Sequence, residues 1–207
     1  MSNRTNPYYE VRAFATRYRI ATAIVAGVVA THVATMTGYW NHGVGLPVLD
    51  WNTTNGLQLL PKASHNTQFF AGGAAHYTTG VCFALLYACG PHMFIPLRNT
   101  FLGNMAKAML FGTFLALVSA TIMIPLVFYP QLDPGFFSHN LGFKFVLSIF
   151  VWHWVYGLHL GAIYNPLPDE EVIQSQSDLA RAASNGHAAS AALTRAGDDA
   201  VPAGAVS

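Results

Sequence analysis

The feature that most constrains this chain is the placement of its charges. No Asp, Glu, Lys or Arg falls between Arg19 and Asp50, between Lys62 and Arg98, between Lys107 and Asp133, or between Lys144 and Asp169. An α-helix rises about 1.5 Å per residue and needs roughly 20 mostly apolar residues to cross the hydrocarbon of a bilayer. Each window is long enough, and the apolar stretches within them run over 20–40, 69–90, 108–129 and 145–164. Only 9% of the 207 residues are charged and 53% are hydrophobic, against roughly 25% charged in soluble domains. So few charges cannot cover a surface that faces water. The expected fold class is an all-α integral membrane protein built as a four-transmembrane-helix bundle over residues 20–165. Residues 1–19 form a basic N-terminal segment ahead of it, and residues 166–207 a tail that follows it. A net charge of +1 offers no basic stripe to neutralise a row of phosphates, so nucleic acid is excluded as a partner and the lipid bilayer is the first one expected.

Orientation follows from Lys and Arg near the helix ends. Arg4, Arg12, Arg17 and Arg19 precede the first helix, Arg98 and Lys107 lie between the second and third, and Arg181 follows the fourth, whereas the other side carries Lys62 and Lys144. Both termini are expected in the cytoplasm, with the 41–68 and 131–143 loops outside, in the inner membrane of a bacterium. The first apolar stretch is longer than the core of a signal peptide and ends in Tyr39-Trp40 rather than a small-residue cleavage site, so it reads as a retained helix. Trp40, Trp51, Tyr129, Phe136 and Phe137 fall where an outer aromatic belt is expected. Gly90-Pro91, Pro130, Asp133-Pro134-Gly135 and Asn165-Pro166 mark helix ends, and Pro125 should bend the third helix by freeing the carbonyl of Thr121. The 41–68 connection is long enough to carry structure or function of its own. Beyond Asp169 the Ala, Ser and Gly-rich composition predicts a short helix toward Ala183 and then disorder.

The second and fourth helices share a pattern: His76, Gly80, Phe83, Ala84 and Tyr87 recur as His153, Gly157, Leu160, Gly161 and Tyr164 at the same offsets. Those offsets share one helical face, so the chain reads as two repeated helical hairpins. Two readings of the stripe stand side by side. In the first, Gly80, Ala84, Gly157 and Gly161 are small-xxx-small spacings that let the second and fourth helices approach closely. Each His then donates to a carbonyl across the interface and each Tyr anchors the inner end. In the second, His76 and His153 are paired ligands of a b-type haem, or a proton relay. His32 and His159 have no matching partner.

The His76 helix ending in Phe83-Ala84-Leu85-Leu86-Tyr87, the third helix from Phe111-Gly112 to Met123-Ile124-Pro125, the Pro134-Gly135-Phe136-Phe137 turn and the closing His153-Trp154-Val155-Tyr156-Gly157-Leu158-His159-Leu160-Gly161 together resemble the four-helix inner-membrane proteins of the YagU-like kind over residues 69–165. The resemblance implies a small bacterial membrane protein and carries over no catalytic residue.

On the expected outer side, His42, His65 and His139 share their loops with Asp50 and Asp133, a donor set suited to a transition metal. Cys82 and Cys89 lie two turns apart on one helix and cannot be bridged. No phosphate loop, Ser-His-Asp order or HExxH motif is present, so a soluble-type enzyme mechanism has no support. Three functions remain: an accessory or structural subunit packing with another membrane protein or with itself, a haem- or metal-binding redox protein, and a small-solute or proton-linked permease.

Overall fold

The computed structural model describes residues 7–168 together with Ser177 and Arg181. The expectations for Arg4 and for the tail beyond Asp169 therefore lie outside the described residues, Arg181 excepted. Among the described residues the structure is all-helical, with no strand. Its α-helices are α1 (Pro7–Arg17), α2 (Arg19–Trp40), α3 (Trp51–Leu59), α4 (His65–Cys89), α5 (Pro91–Phe94), α6 (Phe101–Val118) and α7 (Phe143–Ile163). Four segments, Arg19–Val44, His65–Phe94, Phe101–Phe128 and Phe143–Ile163, are long and apolar enough to cross a membrane.

Local chemistry sets the helix starts. The Asp50 carboxylate accepts from the backbone N–H of Thr53 and begins α3. Ser64 does the same for Thr67 at the head of α4, and Thr100 for Gly103 at the head of α6. Each cap satisfies a backbone donor that the first turn leaves without an intrahelical partner. These caps place α4 and α6 several residues earlier than hydropathy alone suggests. The long connection over 41–68 does carry structure, since α3 lies within it and packs against α4. Neither Gly56 nor Gly72 has room for a Cβ there: one on Gly56 would run into the Gln68 backbone, and one on Gly72 into the backbone of Asn52 and Gly56.

The third span departs from a plain α-helix. From Ser119 to Phe128 it widens into π-helical turns around Pro125. Proline has no N–H to donate and crowds the preceding turn, and a wider turn absorbs both effects. Farther on, Phe137 and Ser138 adopt left-handed backbone at φ 59° and 55°, where an L side chain is strained. The Ser138 hydroxyl donates to the Ala120 carbonyl across 2.7 Å and ties this turn to the π segment.

The long helices pack in the order α4, α2, α7, α6, each against the next. α2 stands in the middle because its inner faces are built from small residues: Ala23, Ala26, Ala30 and Ala34 are all fully buried. A Cβ on Gly27 would stand 2.8 Å from that of Ala84. This corrects the expectation that the small stripes bring the second and fourth helices together. Gly80 abuts Thr31 of α2, whereas a Cβ on Gly157 would meet the Ala108 carbonyl of α6 at 2.6 Å and one on Gly161 the Asn104 carbonyl at 2.7 Å. Each stripe is the contact of a helix with the span before it. Close backbone approach then gives dispersion contact without needing large side chains.

The basic N-terminal segment also has more structure than its composition suggests. Arg12 of α1 donates to the carbonyls of Asn165, Pro166 and Asn99. Asn104, fully buried, donates to Asn165 and to the Pro166 carbonyl and accepts from His92. These bonds gather α1, the 90–100 connection and the end of α7 at one end of the molecule.

Candidate functional site

α4 and α6 are consecutive long apolar helices yet hardly touch along their middles. At one end Tyr87 of α4 packs on Phe111 of α6 with ring centroids 5.3 Å apart. At the other, α3 bridges the gap: Trp51 packs on Phe128 at 5.3 Å, and the hydroxyls of Thr54 and Tyr129 share a hydrogen bond of 3.0 Å. Between these closures lies a cleft of about 140 Å³. α4 supplies His76, Thr79, Gly80 and Phe83 to it, while Leu115, Val118, Ser119 and Met123 form the opposite wall. α7 forms the back with Trp152, His153 and Tyr156. Thr79 and Phe83 at the rim are exposed, so the cleft opens sideways between the helices.

Both histidines of the repeat therefore meet in one cleft, each bonded to a hydroxyl of the span before it. His76 Nε2 lies 3.1 Å from Thr35 Oγ1, and His153 Nε2 lies 3.1 Å from Ser119 Oγ. The proton directions differ. His153 Nδ1–H donates to the Ile149 carbonyl at 2.7 Å, so its Nε2 accepts from the Ser119 hydroxyl. Thr35 donates its one hydroxyl proton to the Thr31 carbonyl at 2.7 Å, so His76 Nε2–H is the donor to Thr35. Neutral His76 then presents the lone pair of Nδ1, which has no hydrogen-bond partner among the described residues. Neither imidazole donates to a carbonyl across an interface, contrary to expectation.

A bis-histidine haem does not fit this arrangement. The Trp152 indole is in ring contact with both imidazoles, at 5.4 Å from His76 and 4.9 Å from His153. Both nitrogens of His153 are already engaged, and 140 Å³ is the volume of a single ring rather than a macrocycle. The two tyrosines of the pattern are hydrogen-bonded at the C-terminal ends of their helices: Tyr87 donates to the Asn104 carbonyl at 3.4 Å, and Tyr164 accepts from Arg19 at 3.0 Å.

The outer set is dispersed. Among the described residues no three His, Cys, Asp or Glu side chains gather as a metal site. Asp50 is spent on the α3 cap and on the Tyr39 hydroxyl. His42 and His139 each donate to a carbonyl three residues back, His65 begins α4 in exposed surroundings, and Asp133 sits in a left-handed turn. Trp51, expected in the outer belt, is buried as the roof of the cleft, whereas Trp40 and Phe136 are exposed.

Sequence reasoning overlooked Thr35, Ser119, Trp152 and Tyr156. Hydroxyls inside apolar windows were the available signal, because a span that carries Thr or Ser without a turn to make has a partner to bond. No family model, no curated protein and no solved structure matches this chain.

Proposed function

We propose that the chain crosses the inner membrane of a bacterium four times as two repeated hairpins, with both termini in the cytoplasm, and that its cleft receives a small molecule dissolved in the lipid. The Lys and Arg asymmetry supports the orientation, and the paired His–hydroxyl bonds support the repeat. One observation carries the binding reading: a cleft between α4 and α6, walled by apolar and aromatic side chains, with a buried imidazole at its back and its mouth on the flank of the helices. Concave, mostly apolar sites with a few placed polar groups are the usual form of a small-molecule site.

The room available favours this reading over an accessory subunit that uses the same seam to hold a partner helix, since a helix with its side chains is about 10 Å across. A permease is less well supported, because the Tyr87–Phe111 contact and the Tyr156–Gly80 hydrogen bond close the cleft toward the inner end. The test is solvent extraction of the detergent-purified protein followed by mass spectrometry. The native chain should retain a lipid-soluble molecule that a Ser119→Phe variant, its cleft filled, loses while keeping its helical circular dichroism. An equal yield from both proteins would overturn the reading, and a Soret band in the native protein would restore haem.

A further inference from the structure

The cleft holds one conspicuous unmet demand. His76 is more than nine-tenths buried, and its Nδ1 lone pair has no donor among the described residues. The atom is not sealed in the interior, and His76 lines the cleft, so a molecule there can supply the missing donor. Most other polar groups of the wall are already bonded within the protein, and the Trp152 indole N–H, which lacks a partner among the described residues, is itself fully buried. Thr79 donates to the Ala75 carbonyl, Tyr156 to that of Gly80, Asn55 to that of Trp51, and Ser119 to His153. No charged side chain lines the cleft, so an ionised ligand would meet nothing to compensate its desolvation. The open lone pair of His76 can take one neutral hydrogen-bond donor.

Size and wall chemistry narrow the ligand further. The cleft, at about 140 Å³, is close to an engineered cavity of about 150 Å³ that holds one benzene. Phe83, Phe128, Trp51, Trp152 and Tyr156 present aromatic surface to it, which suits a flat ring in offset or edge contact. A tail attached to that ring can leave through the lateral mouth past Thr79 and Phe83.

Resting on the cleft reading above, we propose that the site binds the single-ring phenolic head of a lipid-soluble molecule, a hydroquinone or a simple phenol, whose hydroxyl donates to Nδ1 of His76. Its apolar tail leaves between α4 and α6.

The full-length protein in detergent is titrated with decylhydroquinone, its dimethyl ether, para-decylphenol and decylbenzene, following the fluorescence of Trp51 and Trp152. The hydroquinone should bind about tenfold more tightly than its ether, the ratio expected for a lost hydrogen bond to a buried acceptor. In His76→Leu that preference should vanish while weak binding of all the rings persists. Phenol binding as tight as that of the hydroquinone identifies a monophenol as sufficient; tighter hydroquinone binding identifies the diol. The four-ligand comparison on the native chain does not depend on how the variant folds. Equal affinity for the hydroquinone, its ether and decylbenzene overturns the phenol assignment and leaves the cleft reading standing. A preference that survives in a folded His76→Leu also overturns it. If none of the four binds and solvent extraction yields nothing, the cleft reading itself fails.

Discussion

The phenol of Tyr156 on α7 donates to the carbonyl oxygen of Gly80 on α4 across 2.7 Å, joining one wall of the cleft to its back. Gly80 can serve this bond because the other side of its backbone lies against Thr31 of α2, where a Cβ would collide with the threonine hydroxyl. One glycine thus fixes α4 to α2 by shape and to α7 by a hydrogen bond. Tyr156→Phe keeps the ring and removes the donor. It should lower stability in detergent by about 1 kcal/mol, read as a fall in the thermal midpoint, and should widen the cleft toward larger ligands. An unchanged midpoint would show that Tyr156 only fills space.

Glycines in the α6–α7 contact should tolerate no side chain. Gly157→Leu and Gly161→Leu place Cβ atoms 2.6 Å and 2.7 Å from backbone carbonyls of α6, and overpacking costs about 1–3 kcal/mol or more where backbone cannot yield. The separation expected is of α6 from α7, not of α4 from α7. A double-cysteine cross-link between α6 and α7 should therefore fail in the variants. Gly43→Ala is the control, since nothing lies within 4 Å of a Cβ there.

The two His–hydroxyl pairs should be energetically equivalent. Double-mutant cycles over Thr35→Val with His76→Leu, and over Ser119→Ala with His153→Leu, should each give a coupling of about 0.6 kcal/mol, the average for interhelical hydrogen bonds in membranes. Thr35 with Ser119 should be additive, because the two share no partner. Coupling in one pair alone would show that the repeat is one of sequence without matching energetics.

Arg12 should govern the docking of α1. Its guanidinium satisfies three carbonyls in two separate chain segments, and bonds to a charged donor contribute about 1.5–3 kcal/mol. Arg12→Leu should speed amide exchange over residues 7–17 and 165–167 while leaving α4 and α7 protected. Uniformly faster exchange would instead mean that Arg12 supports the whole fold.

The proposed orientation rests on Lys and Arg placement. A reporter fused after Asn165 should register the cytoplasm and one inserted after Lys62 the outside; the reverse pattern would overturn it.

Much of the architecture is legible from residues 20–165 read as a string. Charge-free windows reveal the long helices because removing an unpaired charge from water is costly wherever it happens. The offsets of His, Gly and Tyr reveal the repeat because a 3.6-residue turn puts them on one face. Partner choice is a different matter. Small-residue spacing shows that a helix can be approached closely but not by which neighbour, and only the packing shows that Gly157 and Gly161 face Ala108 and Asn104 rather than α4. Trp51 reads as an interfacial residue until α3 folds it over the cleft. The state of the two histidines is likewise beyond the sequence. It turns on where Thr35 and Ser119 send their single protons, and that depends on carbonyls one turn away and on how the spans are rotated about their axes. Hydropathy is indifferent to that rotation, because lipid and a neighbouring helix are similarly apolar; hydrogen bonds and backbone clearance are not, and they leave His76 with an open acceptor while His153 is fully engaged.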